Sequence, residues 1–349
     1  MAVAHKEQTS DRAPESDQST ARVEQRDAVI MARGLQKRFD STVVLRDLTM
    51  SVAAGEIFGL IGPSGSGKST AIHLFCGHLR ASGGEMSVLG STPDKFTAAI
   101  RRRIGYMPQG FALYPDLTVE QNVAFAAGLY GLPEWRNTAR IRATLELVQL
   151  WEARKRAARA VSGGMQRRIA LAAALVHDPE VLFMDEPTAN LDPILRAHLW
   201  QHFRSLRERG RSLLITTQYV DEAEYCDRVG LMYGGSLIAT GRPLTLRRQA
   251  FGGDIVEISV EQSVPGYVAA LAAVPGVRAT LERGAEPLRV TVDDANSAIP
   301  ILLDALEASG ATIRSVSQYQ PTFDEVFIRL IEQQGVTPPV TGQLKVGSR

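Results

Sequence analysis

The stretch Gly62-Pro63-Ser64-Gly65-Ser66-Gly67-Lys68-Ser69-Thr70 constrains this chain more than any other, because it matches the phosphate-loop pattern G-x-x-x-x-G-K-[ST]. Its glycines let the backbone wrap inward so that several N–H groups aim at one point. A helix opening there adds the partial positive charge of its N-terminus. Ile57–Ile61 just ahead reads as a buried strand, and Ile72, Leu74, Phe75 and Leu79 behind recur at helical spacing. In that setting Lys68 would bridge outer phosphates and the Ser69 hydroxyl would ligate Mg²⁺. A Gly/Ser turn that matched by chance would lack the strand and the helix.

The remaining composition narrows the class. At 349 residues the chain has room for two modest domains with real cores. Its net charge of +1 implies no global pull toward nucleic acid or anionic lipid. The apolar stretches are strand- or helix-sized, too short for a bilayer span, and the first residues are polar, with no apolar leader. Cys76 and Cys226 lie far apart without metal spacing, which reads as buried thiols in a reducing compartment. A soluble, cytoplasmic chain is expected.

Taken in order, residues 1–26 are polar and charged and are expected to be a disordered tail. Strands are expected around Val29–Leu35 and Val43–Val52, flanking a turn that carries Phe39; that ring could stack on a nucleobase or lie in the core. Arg101, Arg102 and Arg103 read as a solvated face. Ile104–Met107 reads as a strand whose Pro108 loop puts Gln109 at its carboxyl end, where ligands of open α/β sheets collect. From Thr118 to about Ala174 the pattern is helical, with Asn122, Trp135 and Trp151 among Ala- and Leu-rich segments. Within it, Ser162 is a natural N-cap ahead of Gly163 and Gly164, and Ile169, Ala172 and Leu175 continue an apolar stripe.

Val181–Met184 is an apolar strand ending in Asp185-Glu186. A carboxylate at that tip, Asp185, can hold Mg²⁺ through water, and Glu186 can orient and deprotonate an attacking water. Leu213–Thr217 is a further strand, ending at Gln218, and Arg228–Tyr233 with Ser236–Thr240 forms a hairpin across Gly234-Gly235. His198 and His202 have the spacing of a two-histidine metal site but no further ligand, and read as surface residues. After Gly252-Gly253 the segments run strand, helix, strand, strand, helix, strand over 255–318. That is the ferredoxin-like order. Thr322 and Glu325 make a capping box for a closing helix Phe323–Leu330.

The ordered set of phosphate loop, Gln109 loop, Ser162-Gly163-Gly164, Asp185-Glu186 and Asn190-Leu191-Asp192 resembles an ABC-type ATPase, the nucleotide-binding subunit of an ATP-binding-cassette transporter. The resemblance covers about residues 28–245. It implies an α/β P-loop NTPase fold, a RecA-like core with an antiparallel β subdomain and a helical insert, followed by the small α+β ferredoxin-like domain. The limits expected are 27–250 for the nucleotide-binding domain, with its insert at about 113–178, 254–332 for the second domain, and a flexible tail over 333–349. By the same match the cofactors are ATP and Mg²⁺. Phe39 would stack on adenine, and Gly62, Gly65, Gly67, Lys68, Ser69 and Thr70 would hold the triphosphate. Ser69, Gln109 and Asp185 would manage the metal, and Glu186 would be the catalytic carboxylate. Ser162, Gly163 and Gly164 would contact ATP held by a second subunit, and Asp192 would cross that interface.

Two departures stand out. The signature reads V-S-G-G-M in place of L-S-G-G-Q, and Gln218 stands where the family has a switch histidine. A glutamine donates a hydrogen bond but cannot become cationic, so slower hydrolysis is expected, without titration near pH 6 to 7. The T-T-Q-Y form and Pro321–Phe327 resemble daunorubicin-resistance-type exporter ATPases. The implied partners are a second copy, sandwiching two ATP, and a separate membrane permease docked near Gln109 and the insert, with no nucleic acid. The implied location is the inner face of the cell membrane. Two rival readings are a soluble ABC ATPase outside transport and a regulatory subunit that Gln218 leaves inert.

Overall fold

The structure is a computed structural model that describes residues 28–110, 113–132, 134–262, 264–281 and 287–335. The tail expected over 1–26 lies outside the described residues, as does 336–349 of the one expected at the other end. Among the described residues thirteen strands fall in chain order as β1 (Ala28–Phe39), β2 (Thr42–Ala53), β3 (Ile57–Ile61), β4 (Gly83–Val88), β5 (Ile104–Met107), β6 (Val181–Asp185), β7 (Ser212–Thr217), β8 (Arg228–Tyr233), β9 (Ser236–Gly241), β10 (Asp254–Gln262), β11 (Val277–Leu281), β12 (Leu288–Val292) and β13 (Thr312–Tyr319). The first nine make one sheet in the order β4-β1-β2-β9-β8-β3-β7-β6-β5.

In this sheet β8, β3, β7, β6 and β5 run parallel to one another, while β1 pairs antiparallel with both β2 and β4. Side chains alternate between faces along each central strand. Ile57, Ile61, Leu182, Met184, Leu213 and Ile215 enter one core, with the insert helices; Phe58, Leu60, Val181, Phe183 and Leu214 enter the other, with Ile72 and Phe75. Burial on both faces explains why these strands read as unbroken apolar runs. The first hairpin is longer than its pattern suggests: Phe39 closes β1 opposite Thr42, and the turn itself is Asp40-Ser41.

The helical stretch resolves into helices Val119–Leu129, Glu134–Leu147 and Gly163–Leu175. Asn122 is buried at the first of these and holds the loop ahead of it, accepting from Tyr114 N at 2.8 Å and donating to Tyr114 O at 3.0 Å. Arg101, Arg102 and Arg103 are exposed, and Arg103 forks onto Glu180 at 2.7 and 2.6 Å.

The last four strands form a second, antiparallel sheet in the order β11-β12-β10-β13, backed by helices Tyr267–Ala272 and Ala295–Ala308. This is the ferredoxin-like arrangement, around a core of Val256, Ile258, Leu271, Val290 and Leu302. The closing helix, Phe323–Gln333, carries the Thr322–Glu325 capping box. Its apolar face does not join that core. Phe323, Val326, Phe327, Leu330 and Ile331 pack with Trp200 and Val220 in the core of the large sheet. Each buried side chain of this size contributes about 1.5–3 kcal/mol, so the helix fastens the second unit to the first.

Candidate functional site

Strands β3, β7, β6 and β5 are neighbours and parallel, so their carboxyl ends lie side by side. From them emerge, in that order, the phosphate loop, Gln218, Asp185-Glu186 and Gln109. Sequence positions as far apart as Gly62 and Gln218 are thereby brought to one edge, where open α/β sheets bind ligands.

The loop is shaped by close approaches of its own backbone. Gly67 has φ +101°, and a Cβ at Gly62 would stand 2.1 Å from the carbonyl oxygen of Met232, so neither position takes a side chain without displacement. Gly67 is also the N-cap of helix Lys68–Phe75 and offers no side-chain cap, which leaves the first helical amides to a ligand. Ser64 and Gly65 are exposed, while Pro63 and Ser66 are buried. Ser66 Oγ has no hydrogen-bond partner among the described residues. Lys68 is only 4% exposed, and its Nζ donates to the Gly62 and Pro63 carbonyls at 2.7 and 2.9 Å. Burial lowers this ammonium to about 8, against the pull of Glu186 and Asp185. An orphaned hydroxyl, a buried ammonium and uncapped amides fit a polyphosphate.

The oxygens of Ser69 and Asp185 sit next to it. Ser69 Oγ donates to Asp185 Oδ1 at 3.1 Å, and Thr216 Oγ1 donates to the same oxygen at 2.5 Å. Asp185 is buried, at 1% exposure. A hydroxyl and a carboxylate at that distance are the hard oxygen donors that Mg²⁺ takes. Thr70 follows in the first turn, half-buried.

Glu186 is the most constrained side chain of the group. Its backbone is left-handed, φ +50°, which costs about 1–2 kcal/mol in a non-glycine residue. Thr216 holds it there, accepting from Glu186 N through both its carbonyl at 3.1 Å and its hydroxyl at 3.0 Å. The carboxylate is gripped from two sides: Gln109 Nε2 donates to Oε2 at 3.0 Å, and Gln218 Nε2 donates to Oε1. Gln218 thus donates directly to the carboxylate at the strand tip. Gln109 also spends its amide on Glu186, and no hydrogen bond joins it to Asp185.

The Ser162 segment is built differently. Ser162 caps helix Gly163–Leu175 by accepting from Met165 N at 3.3 Å, and Ser162 and Gly163 are exposed. Gly163 and Gly164 line a cavity of about 240 Å³ with Gln109, Gln166, Asn190 and Leu191, and no residue of the phosphate loop is in that lining. Asp192 caps helix Pro193–Glu208, accepting from Leu195 N at 2.9 Å. Phe39 is 41% exposed, with Lys37 Nζ 4.7 Å from its ring centroid, so it is not a core residue. His198 is exposed and His202 half-buried, and among the described residues no group of three His, Cys, Asp or Glu is arranged to hold a metal.

Two residues that sequence reasoning missed belong to the site. Thr216 is the hub joining Asp185 to Glu186, and nothing in Thr216-Thr217 distinguishes it from an ordinary strand end. Arg167 reaches from the Ser162 helix to the carbonyls of Pro187, Gln109 and Asp185 at 2.9, 3.1 and 3.4 Å. Its signal was only a charge facing an apolar stripe.

A phosphate loop and a buried Asp-Glu strand tip at the ends of the parallel strands of one mixed sheet, with a Ser-Gly-Gly helix start near the Gln109 loop, define an ATP-binding cassette of the P-loop NTPase class. The chain belongs to the ABC transporter ATP-binding family. Residues 45–189 match the ABC transporter family, and residues 241–331 match the family described as the ATP-binding protein DrrA1-3-like C-terminal domain. The chain is 36% identical over 306 residues to the daunorubicin resistance ATP-binding protein DrrA3 of Streptomyces coeruleorubidus, covering 87% of this chain and 96% of that one. It is 32% identical over 305 residues to the linearmycin resistance ATP-binding protein LnrL of Bacillus subtilis, covering 86% and 98%. It is 40% identical over 237 residues to the probable multidrug ABC transporter ATP-binding protein YbhF of Escherichia coli, covering 68% of this chain but only 41% of that protein's length. Among solved structures, an ATP-binding subunit of an ABC transporter superposes with a TM-score of 0.59 at 28% identity, over 63% of this chain and 92% of that one.

Proposed function

We propose that this chain is the ATP-hydrolysing subunit of an exporter and works as a pair of copies that close around two ATP molecules. The observation that carries the reading is the division of the site. The phosphate loop, Asp185 and Glu186 are tied to one another through hydrogen bonds, directly or by way of Thr216, whereas Ser162 and Gly163 are exposed and Ser162 caps its own helix. In the proposed pair, one chain's phosphate loop meets the other's Ser162 helix start, and Asp192 crosses between them.

Within one such site the Gly62–Thr70 amides and Lys68 bind the β- and γ-phosphates, and Phe39 stacks on the base. Ser69, Asp185 and Gln109 would hold Mg²⁺, which when bound supplies positive charge against the phosphate oxygens. Glu186, aligned by Gln109 and Gln218, orients a water in line with the γ-phosphorus and takes its proton as the oxygen attacks. Lys68 and the loop amides stabilise the charge on the departing diphosphate.

No helix among the described residues is long and apolar enough to cross a membrane, so the transport path belongs to a partner in this reading. Tyr114 and Phe125 stack edge to face at 4.6 Å while 52% and 41% exposed, and Leu129 is 71% exposed. This apolar patch lies at the start of the insert, and we assign it to docking a helix of the permease. The names of the relatives point to drug-like cargo. The division at residues 250 and 254 into a nucleotide-binding and a ferredoxin-like domain completes the proposal.

Glu186→Gln tests the chemistry. Turnover should fall at least about a hundredfold while ATP binding persists and an ATP-locked dimer accumulates. Hydrolysis at the wild-type rate by this variant would overturn the assignment.

A further inference from the structure

The Ser162 helix start and Glu186 of the same chain serve different nucleotides in the paired arrangement, yet one side chain joins them. Arg167 stands on the helix that Ser162 opens. Its guanidinium donates through Nε to Pro187 O at 2.9 Å, through Nη1 to Gln109 O at 3.1 Å and through Nη2 to Asp185 O at 3.4 Å. Asp185 and Pro187 flank Glu186, and Gln109 is the residue whose side chain donates to Glu186. One planar fork therefore fixes the backbone on both sides of the carboxylate and beneath one of its two donors.

The same helix also packs its apolar side, Ile169 and Ala170, in one core with Met107 and Met184 of the strands that lead to Gln109 and Asp185, but its polar link to the site is Arg167. Between the Gln109 loop and the helix start lies the cavity of about 240 Å³, with Gln109 on one wall and Gly163 and Gly164 on the other. The two glycines add no side chain to its lining, to which the same helix contributes Gln166 and Arg167. The neighbouring Arg168 turns the other way, donating to Val148 O and Gln149 O at 3.2 and 3.3 Å, and ties the helix to the insert.

We propose that Arg167 is a positioning residue that couples the Ser162 helix start to the alignment of Glu186 within one chain, so that engaging the partner's nucleotide sets the geometry at this chain's own. The proposal rests on the paired-ATPase reading above. When the helix start shifts to meet a phosphate, the Arg167 fork carries the shift to Gln109 and to both neighbours of Glu186. Lysine at 167 keeps the charge but has a single ammonium that cannot hold three carbonyls at once. Methionine keeps the apolar stem and none of the bonds.

Amide hydrogen exchange on the full chain tests the link without requiring turnover. In Arg167→Met, exchange at Gln109, Gly110, Glu186 and Ala189 should accelerate about tenfold or more, with Arg167→Lys between it and wild type and the ferredoxin-like sheet unchanged. Unaltered exchange at those amides, or acceleration spread evenly over the chain, would overturn the proposal. Steady-state kinetics provide the second arm. Arg167→Met should lower kcat about ten- to a hundredfold with KM for ATP within about twofold, and Arg167→Lys should recover part of it. In a Gln109→Ala background the same change should cost less than about threefold more, because both act through one alignment. Fully multiplicative losses would contradict the link. A wild-type chain without ATPase activity would instead overturn the paired-ATPase reading and leave the link to be decided by exchange.

Discussion

Gly62 and Gly163 are the two glycines to which the proposed pair gives a phosphate, and their surroundings are opposite. A Cβ on Gly62 would strike Met232 O at 2.1 Å, whereas one on Gly163 would meet nothing within 4 Å. The first is glycine because its own chain leaves no room. The second has room for a side chain in its own chain. The same contrast runs through their surroundings. Lys68 and Asp185 are buried and hydrogen-bonded inward, while Ser162 does no more for its own chain than cap its helix. One half of the site is closed on itself and the other is offered outward, which is the physical content of the paired reading.

The sharpest way to break the contrast is to fill both glycines. Gly163→Asp should leave folding intact, since an acidic residue in a first helical turn is favourable, yet lower turnover at least about a hundredfold by placing a carboxylate against the partner's phosphate. Gly62→Ala should instead destabilise the free chain by about 2–3 kcal/mol, read as a fall in melting temperature. If Gly163→Asp unfolded the chain, or hydrolysed ATP normally, the outward half would have an inward role.

Gln218 sharpens the closed half. It and Gln109 are the two donors on Glu186, so Gln218→Ala should slow turnover about tenfold, the worth of one hydrogen bond to a charged group. Gln218→His should remain active and add a dependence on pH between about 5.5 and 7.5 that is lacking in the wild-type profile. Identical profiles would mean that Gln218 does not act on the reacting geometry.

The smallest effect is a proton. Burial lowers Lys68 from 10.5 to about 8, so the free folded chain gives up that proton above about pH 8 while the unfolded chain keeps it to about pH 10.5. The unfolded state binds more protons in that window, and this group's contribution to stability therefore rises with pH across it. Phosphate oxygens favour the charged form. ATP binding should accordingly take up a fraction of one proton between pH 8 and 9 and weaken as pH rises from 7 to 9. Calorimetry in buffers of different ionisation enthalpy measures the uptake; proton release would reverse the assignment.

What could be read beforehand follows from how local each signal is. The phosphate loop and Asp185-Glu186 are contiguous and preceded by apolar strands, so the cradle and the carboxylates were visible in the sequence. So was the ferredoxin-like order, through its alternation of short patterns. The grip on Glu186 was not, because its left-handed backbone and its donors Gln109 and Gln218 come together only through strand order in the sheet. Arg167 was invisible for a related reason: its acceptors are backbone carbonyls, which every residue has. The closing helix showed its capping box but not its destination, since an apolar face does not name the core it enters.

Mixing two inactive chains tests the central claim most directly. Lys68→Ala has an intact Ser162 helix start and no working phosphate loop; Gly163→Asp has the reverse. A mixed pair contains one complete site, built from the phosphate loop of the second variant and the helix start of the first. The account predicts that each variant alone is silent and that ATPase activity appears on mixing. Silence of the mixture, or full-rate hydrolysis by a demonstrably monomeric wild-type chain, would contradict it.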